Sequence, residues 1–341
     1  MHRFKWTRPL AGALALAAVN AAPGSANDSV AEIGIGGIVL ARTDAITLAK
    51  EDLFLSPTEV TVDYVFHNGT DADITSIVAF PLPDVDFDPE TQTSLPTGKN
   101  DNFLGFEVTF DGKPIKPELD QRAFSLGVDV TELLRANGIP IYAGDEAVAP
   151  ALAKLPDNVA DDFISRGIIT VQSYYESADG PETHERMPAW SMRSAYWWRA
   201  TFPAGKDVKV HHRYTPAVGG AAGAYIFDEG KLTDTAVSYK TDYCLDDQLL
   251  ATLKKKVNKD GYLPYSETWI DYILTSGGNW ATGQIGEFKL TVDKGAEKNF
   301  VSFCGEGVKK VGPTRFEMKA TDFYPEKDIS ILILQPVEMQ P

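Results

Sequence analysis

Short stretches in which apolar and polar side chains alternate set the strongest limit on the fold of this 341-residue chain. In the stretch 59–67, Val60, Val62, Tyr64 and Phe66 lie two positions apart. This spacing places the four side chains on one face of a half-buried strand. Stretches of this kind are separated by turn residues, and no regular alternation of strands with long helices is present. The sequence therefore predicts a mainly β fold, built as one or more antiparallel β-sandwiches.

Turn residues between the strand-like stretches predict hairpins, because Asn-Gly and Asp-Gly supply the left-handed backbone that tight turns need. Each turn is expected to bring the strand after it beside the strand before it. The predicted hairpins are 59–67 with 74–81 across Asn68-Gly69, 105–110 turning at Asp111-Gly112, and 197–202 with 208–214 across Pro203-Ala204-Gly205.

Helical patterns interrupt the strands in two places. The stretch 129–167 begins with capping residues, is broken at Pro156 and ends at Gly167, so we expect a helical insertion there. In the stretch 246–259 the leucines share one face and the lysines follow the acidic residues, which predicts an amphipathic helix in the C-terminal half. The predicted organisation is a signal peptide at 1–26, an N-terminal β region at 27–128, the insertion at 129–167 and a C-terminal β region at 168–341.

The first 26 residues have the pattern of a cleavable signal peptide. A basic segment at 1–8 precedes an apolar run at 10–22, and Gly24 and Ala26 supply the small residues that signal peptidase prefers. We therefore expect cleavage before Asn27 and a periplasmic or secreted protein. The apolar run is short for a membrane span, so a retained anchor is the weaker alternative, and no later segment predicts a span.

The chain contains two cysteines, Cys244 and Cys304. Export would place them in an oxidising compartment, where an even number of cysteines tends to be bonded. The sequence therefore predicts a disulfide, and two free buried thiols are the alternative.

The formal net charge is −16 at pH 7, and the predicted signal peptide contributes no acidic residue to it. A surface this acidic repels phosphate backbones, so nucleic acid is not an expected partner. Cations or cationic partners fit better, unless the charge serves only solubility.

Alternating carboxylates at Asp84, Asp86 and Asp88 are the candidate metal site. Carboxylates in an extended loop can converge on a hard cation such as calcium. The EF-hand pattern is absent, because Pro89 and Leu95 stand where the turn glycine and the bidentate glutamate are needed. A solvated acidic loop is the alternative, and no other cofactor is predicted.

Two further motifs have simpler explanations than chemistry. His211 and His212 are adjacent on a predicted strand and point to opposite faces, so they do not bind one ion together. The stretch 275–278, Thr-Ser-Gly-Gly, is interpreted as a turn, because the sequence contains no nucleophile motif of the G-x-S-x-G kind.

Tryptophans form the candidate ligand-binding set: Trp190, Trp197, Trp198 and Trp280. They belong to two aromatic groups along the chain, and the second group also contains Trp269. Flat aromatic rings on a rigid sheet can stack on sugars or hold an apolar ligand. On a strand Trp197 and Trp198 face opposite ways, so one of them is expected inside. Packing in the core is the alternative for all four.

The order of several short segments resembles a known family. The segments are Asn27-Asp28-Ser29, 34–40, Glu51-Asp52-Leu53, 60–68, 78–83, 202–205, Tyr214-Thr215-Pro216, Tyr243-Cys244 and Asn279-Trp280. This order is similar to the uncharacterised bacterial exported proteins grouped as domain-of-unknown-function family 4424, across nearly the whole chain after residue 26. The resemblance implies export and a bacterial origin, and it supplies no catalytic residue, substrate or partner.

With no catalytic motif, the sequence favours a non-enzymatic binding or interaction protein whose partner is an unidentified envelope protein or glycan. The alternative is a hydrolase that acts on envelope glycans or peptides with paired carboxylates, and a structural envelope component is a third hypothesis. A deep cleft with carboxylates, one of them with a raised pKa, would favour the enzyme. A shallow aromatic face would favour binding.

Overall fold

The computed structural model describes residues 27–34, 37–87, 92–95, 102–175 and 180–337. This part of the chain is mainly β, which confirms the predicted fold class. In chain order the strands are β1 (Ser29–Gly34), β2 (Gly37–Ala41), β3 (Ile46–Leu55), β4 (Val60–Asn68), β5 (Ile74–Pro81), β6 (Gln92–Ser94), β7 (Glu107–Phe110), β8 (Lys113–Ile115), β9 (Glu118–Ser125), β10 (Val128–Asp129), β11 (Ile169–Tyr175), β12 (Glu182–Pro188), β13 (Ser191–Phe202), β14 (Asp207–Tyr214), β15 (Val218–Ala221), β16 (Phe227–Asp228), β17 (Lys231–Leu232), β18 (Tyr265–Tyr272), β19 (Ile285–Asp293), β20 (Phe300–Phe303), β21 (Lys309–Lys310), β22 (Arg315–Phe323) and β23 (Ile329–Pro336).

Five α-helices and one short 3-10 turn accompany these strands in the described residues. They are α1 (Thr131–Ala136), α2 (Val148–Ala153), α3 (Asp157–Ser165), α4 (Asp234–Asp242) and α5 (Asp247–Lys254), with the 3-10 turn η1 at Thr275–Asn279. Within the same ranges, no helix has the length and apolar content needed to cross a membrane.

The strands form three large sheets. Sheet A has six strands in the order β10-β9-β13-β5-β1-β2, sheet B has eight in the order β21-β22-β19-β3-β4-β14-β7-β8, and sheet C has five in the order β20-β23-β18-β15-β6. Neighbouring strands run antiparallel except β3 and β19, which are parallel. Strands from before and after the helical insertion share sheets A and B, so the insertion interrupts the sequence without separating these sheets.

Two of the three predicted hairpins are wrong and one is confirmed. Strands β7 and β8 pair across Asp111 and Gly112, which both have positive φ as a tight hairpin turn requires. In contrast, β4 lies in sheet B while β5 lies in sheet A, and β13 and β14 are likewise divided between sheets A and B. The buried Asn68 side chain gives a physical reason, since its amide donates to the carbonyls of Ala72 and Phe202, both at 2.9 Å. The turn residues thus carry the chain from one sheet to another.

The structure has helices where the sequence predicts them, but their lengths differ from the prediction. The insertion contains α1, α2 and α3, with Pro156 at the start of α3 and Gly167 at a φ of 69° after its end. Helix α5 is shorter than the predicted 246–259, and α4 was not predicted. Helix α4 buries little besides Ala236, so its sequence has no apolar face to reveal it.

The main core lies between the three sheets. Its largest fully buried side chains are aromatic: Tyr64, Phe66, Phe80, Phe106, Tyr196, Phe202, Tyr272 and Trp280. Two smaller clusters lie under α1–α3 and under α4–α5. Polar groups that enter the main core therefore lie far from water, which decides their chemistry.

Candidate functional site

A pocket of about 370 Å³ lies where sheets A and C meet the end of β14. The pocket is lined by the segment after β5, by Ser194 of β13 and Tyr214 of β14, and by Trp269 and Asp271 of β18. These residues come from distant parts of the chain, so the pocket exists only in the folded protein.

The indole of Trp269 can lie at this position because the residue paired with Trp269 in the neighbouring strand is a glycine. Gly219 of β15 lies opposite Trp269 of β18 in the strand register. A Cβ atom built on Gly219 would lie 1.7 Å from the indole Nε1. The ring therefore lies against the backbone of β15, half-buried at the pocket wall.

Three carboxylates line the pocket in different electrostatic states. Asp84 receives two hydrogen bonds from the Arg193 guanidinium, at 3.2 and 3.0 Å. Asp86 accepts a hydrogen bond from Ser191, and Asp271 accepts one from Ser330 at 2.6 Å. Among the described residues no lysine or arginine pairs with Asp86 or Asp271.

Asp271 differs from an ordinary surface aspartate. Loss of water around its carboxyl group, together with the nearby Asp328, raises its pKa above the usual value of 3.8. A cation in the pocket would reverse this effect, because an opposite charge favours the ionised carboxylate.

The pocket also contains an unsatisfied hydroxyl group. Ser194 is 2% exposed, and its Oγ has no hydrogen-bond partner within the described part of the chain. Buried hydroxyls without partners are uncommon in folded proteins.

A second polar cluster lies in the main core, and we call it the buried network: Asn27, Asp28, Glu51, Tyr64, His212, Tyr272 and Ser276. The Glu51 carboxylate accepts from the Asn27 side chain at 2.7 Å and from the Tyr272 hydroxyl at 3.5 Å. The hydroxyls of Tyr64 and Tyr272 are 3.0 Å apart. The titratable side chains of Asp28, Glu51 and His212 are all fully buried.

Burial makes the neutral form of each titratable group in the buried network the stable one. It raises the pKa of Glu51 to about 8, despite the opposing hydrogen bonds from Asn27 and Tyr272. It raises the pKa of Asp28 well above its usual range, with a further contribution from Glu51, and it lowers the pKa of His212. Asp28 Oδ2 and His212 Nε2 are 3.5 Å apart, but neither side chain has a hydrogen-bond partner among the described residues.

The turn at 275–280 binds the start of the described chain. The main-chain N–H of Asn27 donates to Ser276 Oγ, and that hydroxyl donates back to the Asn27 carbonyl. The Trp280 indole donates to the Asp28 carbonyl at 2.6 Å, and Asn279 donates to Ser29 Oγ at 3.0 Å. A Cβ atom on Gly277 would lie 2.7 Å from the side-chain nitrogen Nδ2 of Asn27. The absence of a side chain at Gly277 therefore leaves space for the Asn27 side chain.

Sequence reasoning did not identify the buried network, although part of it left a signal. His212 is in phase with the buried Val208, Val210 and Tyr214 of β14. Glu51 is in phase with Leu53 and Leu55, after a bulge that shifts the alternation between Leu48 and Lys50. A charged residue at an inward-facing strand position is the observation that would have revealed both.

The four predicted tryptophans do not line the pocket. Trp190, Trp198 and Trp280 are buried, and Trp190 donates to the Ile141 carbonyl at 2.7 Å. Trp197 is half-buried on the opposite face of β13, as the strand alternation predicted. Ligand binding by these four side chains stays a prediction, and the pocket contributes Trp269 instead.

The candidate calcium ligands lie partly outside the described residues. Asp88 is outside them, Asp84 is engaged by Arg193, and Asp86 is engaged by Ser191. Within the described ranges no three metal-binding side chains cluster. Calcium binding by Asp84, Asp86 and Asp88 stays a prediction.

The predicted disulfide is confirmed. Cys244 follows α4 and Cys304 follows β20, and their Sγ atoms are bonded with the Cα atoms 5.0 Å apart. The bond fastens α4 to sheet C. Closing a loop of 60 residues stabilises a fold by about 4 kcal/mol in the chain-entropy description.

Fold and sites together define a β-rich protein that has a pocket at a junction of sheets and a separate network of buried acids. The chain belongs to the family described as "Domain of unknown function (DUF4424)", which matches residues 26–332. The resemblance found in the sequence is thereby confirmed. No curated protein matches the chain.

Two of the solved structures that match this chain are only weakly similar to it. A "putative nutrient binding protein" from Legionella pneumophila is 15% identical with a TM-score of 0.42, over 90% of this chain and 72% of that protein. An M1 zinc metallopeptidase from Deinococcus radiodurans is 7% identical with a TM-score of 0.24, over 86% of this chain and 43% of that enzyme. This chain thus spans less than half of the peptidase, and at these TM-scores neither similarity supports a function.

Proposed function

We propose that this chain is exported, to the periplasm or beyond, and acts there as a binding protein without catalytic activity. The disulfide between Cys244 and Cys304 supports export, because such bonds persist in oxidising compartments. The signal-peptide pattern of residues 1–26 points the same way. The pocket at Trp269 is the proposed binding site.

One observation carries the binding proposal: the pocket joins an indole to two carboxylates that have no basic partner in the described chain. An indole face attracts cations, and unpaired carboxylates in a partly enclosed space attract them more strongly than carboxylates in water. The other pocket walls include Phe103 and Leu104, which suit an apolar part of a ligand. We therefore propose a small organic cation, or a cationic group of an envelope partner, as the ligand.

The test compares three probes of similar size and different charge: phenethylamine, 2-phenylethanol and phenylacetate. Titration calorimetry with the mature protein is expected to show binding of the amine, and affinities at least about tenfold weaker for the neutral and anionic probes. Trp269→Leu and Asp271→Asn are each expected to weaken amine binding about tenfold or more.

Trp197→Leu is the matched control, because Trp197 is a half-buried indole outside the pocket. This variant is expected to bind the amine like the unsubstituted protein. Equal binding of all three probes, or unchanged binding in Trp269→Leu, would contradict the proposal. Selective binding of neutral sugars at Trp269 would replace the cation by a glycan.

Hydrolysis of envelope glycans or peptides is the second candidate, favoured by the raised pKa of Asp271 in the same pocket as Asp86. Two carboxyl groups in one pocket, one of them with a raised pKa, are the kind of pair that acid–base hydrolysis uses. Incubation with glycan and peptide libraries separates the candidates. Product release that disappears in Asp271→Asn would establish the enzyme, and its absence would leave the binding protein.

A further inference from the structure

The buried network contains acids but no cation. Asp28 and Glu51 are both fully buried, and His212 beside them is neutral because burial lowers its pKa. Within the described residues no lysine or arginine forms an ion pair with either acid. Buried carboxyl groups of this kind either stay protonated or need a partner of opposite charge.

Asn27 brings a main-chain nitrogen into the same network. Asn27 is 0% exposed, and its nitrogen donates to Ser276 Oγ. Its side chain contacts Glu51 directly at 2.7 Å, and the next residue is Asp28, whose two carboxylate oxygens have no hydrogen-bond partner. The main-chain nitrogen thus belongs to the residue that contacts Glu51 through its side chain and precedes Asp28 in the chain.

The surroundings of Asn27 are built to hold this one residue. Ser276 contacts its nitrogen and its carbonyl oxygen, Gly277 leaves space for its amide, and Trp280 fixes the following carbonyl. The sequence independently predicts cleavage between Ala26 and Asn27. Cleavage there would convert the main-chain nitrogen of Asn27 from a peptide amide into a primary amine.

We infer that the amino terminus created at Asn27 is the cation that the buried network lacks, and that it forms an ion pair with Glu51 and Asp28. An α-amino group has an ordinary pKa near 8 and is protonated beside a carboxylate. Hydrolysis of the Ala26–Asn27 bond adds one water, leaves a carboxylate on Ala26 and gives the amino group to Asn27. The mature fold then contains a charge pair where the precursor contains an amide and two carboxyl groups whose pKa values burial raises.

This inference rests on the proposed export, because signal peptidase acts during translocation. It does not depend on the pocket ligand. Sequencing the amino terminus of the exported protein separates the questions: Asn27 is expected as the first residue, and any other first residue would overturn the inference while the binding proposal stands.

The main experiment compares two purified chains released from a cleavable tag, one beginning at Asn27 and one beginning at Ala26. The second chain moves the amine one residue away from Glu51. The chain that begins at Asn27 is expected to melt at least about 3 °C higher. Equal melting temperatures would contradict the inference.

Glu51→Gln, made in both chains, tests the partner. Glutamine preserves the shape and the acceptor for Asn27 but removes the charge, so the difference in melting temperature between the two chains is expected to fall by more than half. Glu32→Gln, at an exposed position of β1, is the control and should leave that difference unchanged. A difference that persists in Glu51→Gln would overturn the ion pair.

A chemical readout needs no substitution and covers the case in which Glu51→Gln does not fold. Reductive methylation with formaldehyde modifies accessible amines, and mass spectrometry identifies them. The amine of Asn27 is expected to react at least tenfold more slowly than the amine of the chain beginning at Ala26. Gly277→Ala should remove this protection, because the added methyl occupies the space of the Asn27 side chain. Equal rates in the two unsubstituted chains would refute the inference.

Discussion

The pocket and the buried network contain the same kinds of side chain, carboxylates and aromatic rings, in opposite surroundings. Asp86 and Asp271 line a space that opens to solvent, whereas Asp28 and Glu51 are fully buried. The pKa of Glu51 is raised to about 8 by burial, while that of Asp271, an exposed residue, is raised by loss of water around its carboxyl group and by the nearby Asp328. Carboxylates that remain accessible can take up a ligand, whereas carboxylates sealed in a core must be satisfied by the chain itself.

With the proposed function, this difference predicts opposite effects of substitutions at the two sites. A change in the buried network should alter stability and leave ligand binding nearly unchanged. A change in the pocket should do the reverse, because surface substitutions that break no buried contact cost little stability.

The largest expected effect comes from His212, which packs edge-on against Tyr64, Phe80 and Trp198 with ring centroids 5.0–5.4 Å apart. His212→Ala should destabilise the protein by about 3 kcal/mol or more, because it leaves a cavity in an aromatic core and a buried acid without its neighbour. Urea unfolding measures this. His211→Ala is the control: His211 forms a half-exposed pair with Asp63 at 2.9 Å, and its loss should cost about 0–1 kcal/mol. Similar losses of stability in His212→Ala and His211→Ala would contradict the contrast between a buried and a half-exposed histidine.

The pH dependence of stability gives the next effect, in a chain that begins before Asn27. Glu51 has an ordinary pKa of 4.5 and a folded pKa of about 8. The folded state therefore retains a proton that the unfolded state releases, so this contribution is complete below pH 4.5 and is lost as the pH rises to 8. Between pH 6.5 and 8 the free energy of unfolding should fall by about 2 kcal/mol, and Glu51→Gln should remove most of that slope.

The other groups of the buried network define this pH window. Asp28 has a raised pKa and acts with the same sign as Glu51. His212 has a lowered pKa, so its contribution rises with pH and is complete above about 6.5. Tyr64 and Tyr272 have pKa values raised above 10 and titrate outside the window. A flat stability curve from pH 6.5 to 8 would show that Glu51 is ionised in the fold.

A smaller effect on stability is expected from Gly219→Ala, which tests the position of the Trp269 indole in the pocket. The added methyl would overlap the Trp269 indole, so we expect a loss of about 1 kcal/mol of stability and a shift of the Trp269 emission. Amine binding should weaken in parallel. Gly223→Ala is the control, since the nearest atom to its added methyl is 4.0 Å away. A fully stable Gly219→Ala with normal binding would mean that the indole has another position.

The smallest effect on stability is expected from Asp271→Asn. The side chain keeps its oxygen for the Ser330 hydroxyl, so the free energy of unfolding should change by less than about 0.5 kcal/mol. Amine affinity should nevertheless fall about tenfold, because the change removes charge from the pocket. A large loss of stability in Asp271→Asn would place this residue with the buried network instead.

Much of the local structure follows from the sequence. Strand β4, the break at Pro156, the opposite faces of Trp197 and Trp198, and the hairpin at Asp111-Gly112 were all predictable, because side-chain alternation and turn conformation are local properties. Asn68-Gly69 was misleading, since the same dipeptide can close a hairpin or carry the chain to another sheet. The choice depends on Phe202, which is 134 residues away from Asn68 and receives its hydrogen bond.

The sites were less predictable than the strands. The sequence groups Asp84 with Asp86, but no local pattern shows that, among the described residues, Arg193 pairs with Asp84 and not with Asp86. The sequence places Trp269 in the second aromatic group but does not single it out, because its position at the pocket depends on the glycine opposite it in a neighbouring strand.

The sequence by itself determined the β-rich class, the acidic surface, the helical insertion and the two cysteines that bond, because these depend on composition and on neighbours along the chain. The tertiary structure alone decided which sheet each strand joined, which carboxylates stayed open to solvent and which were buried beside Asn27. Contacts between residues hundreds of positions apart set the dielectric surroundings and the charge of a side chain, and no local pattern encodes them.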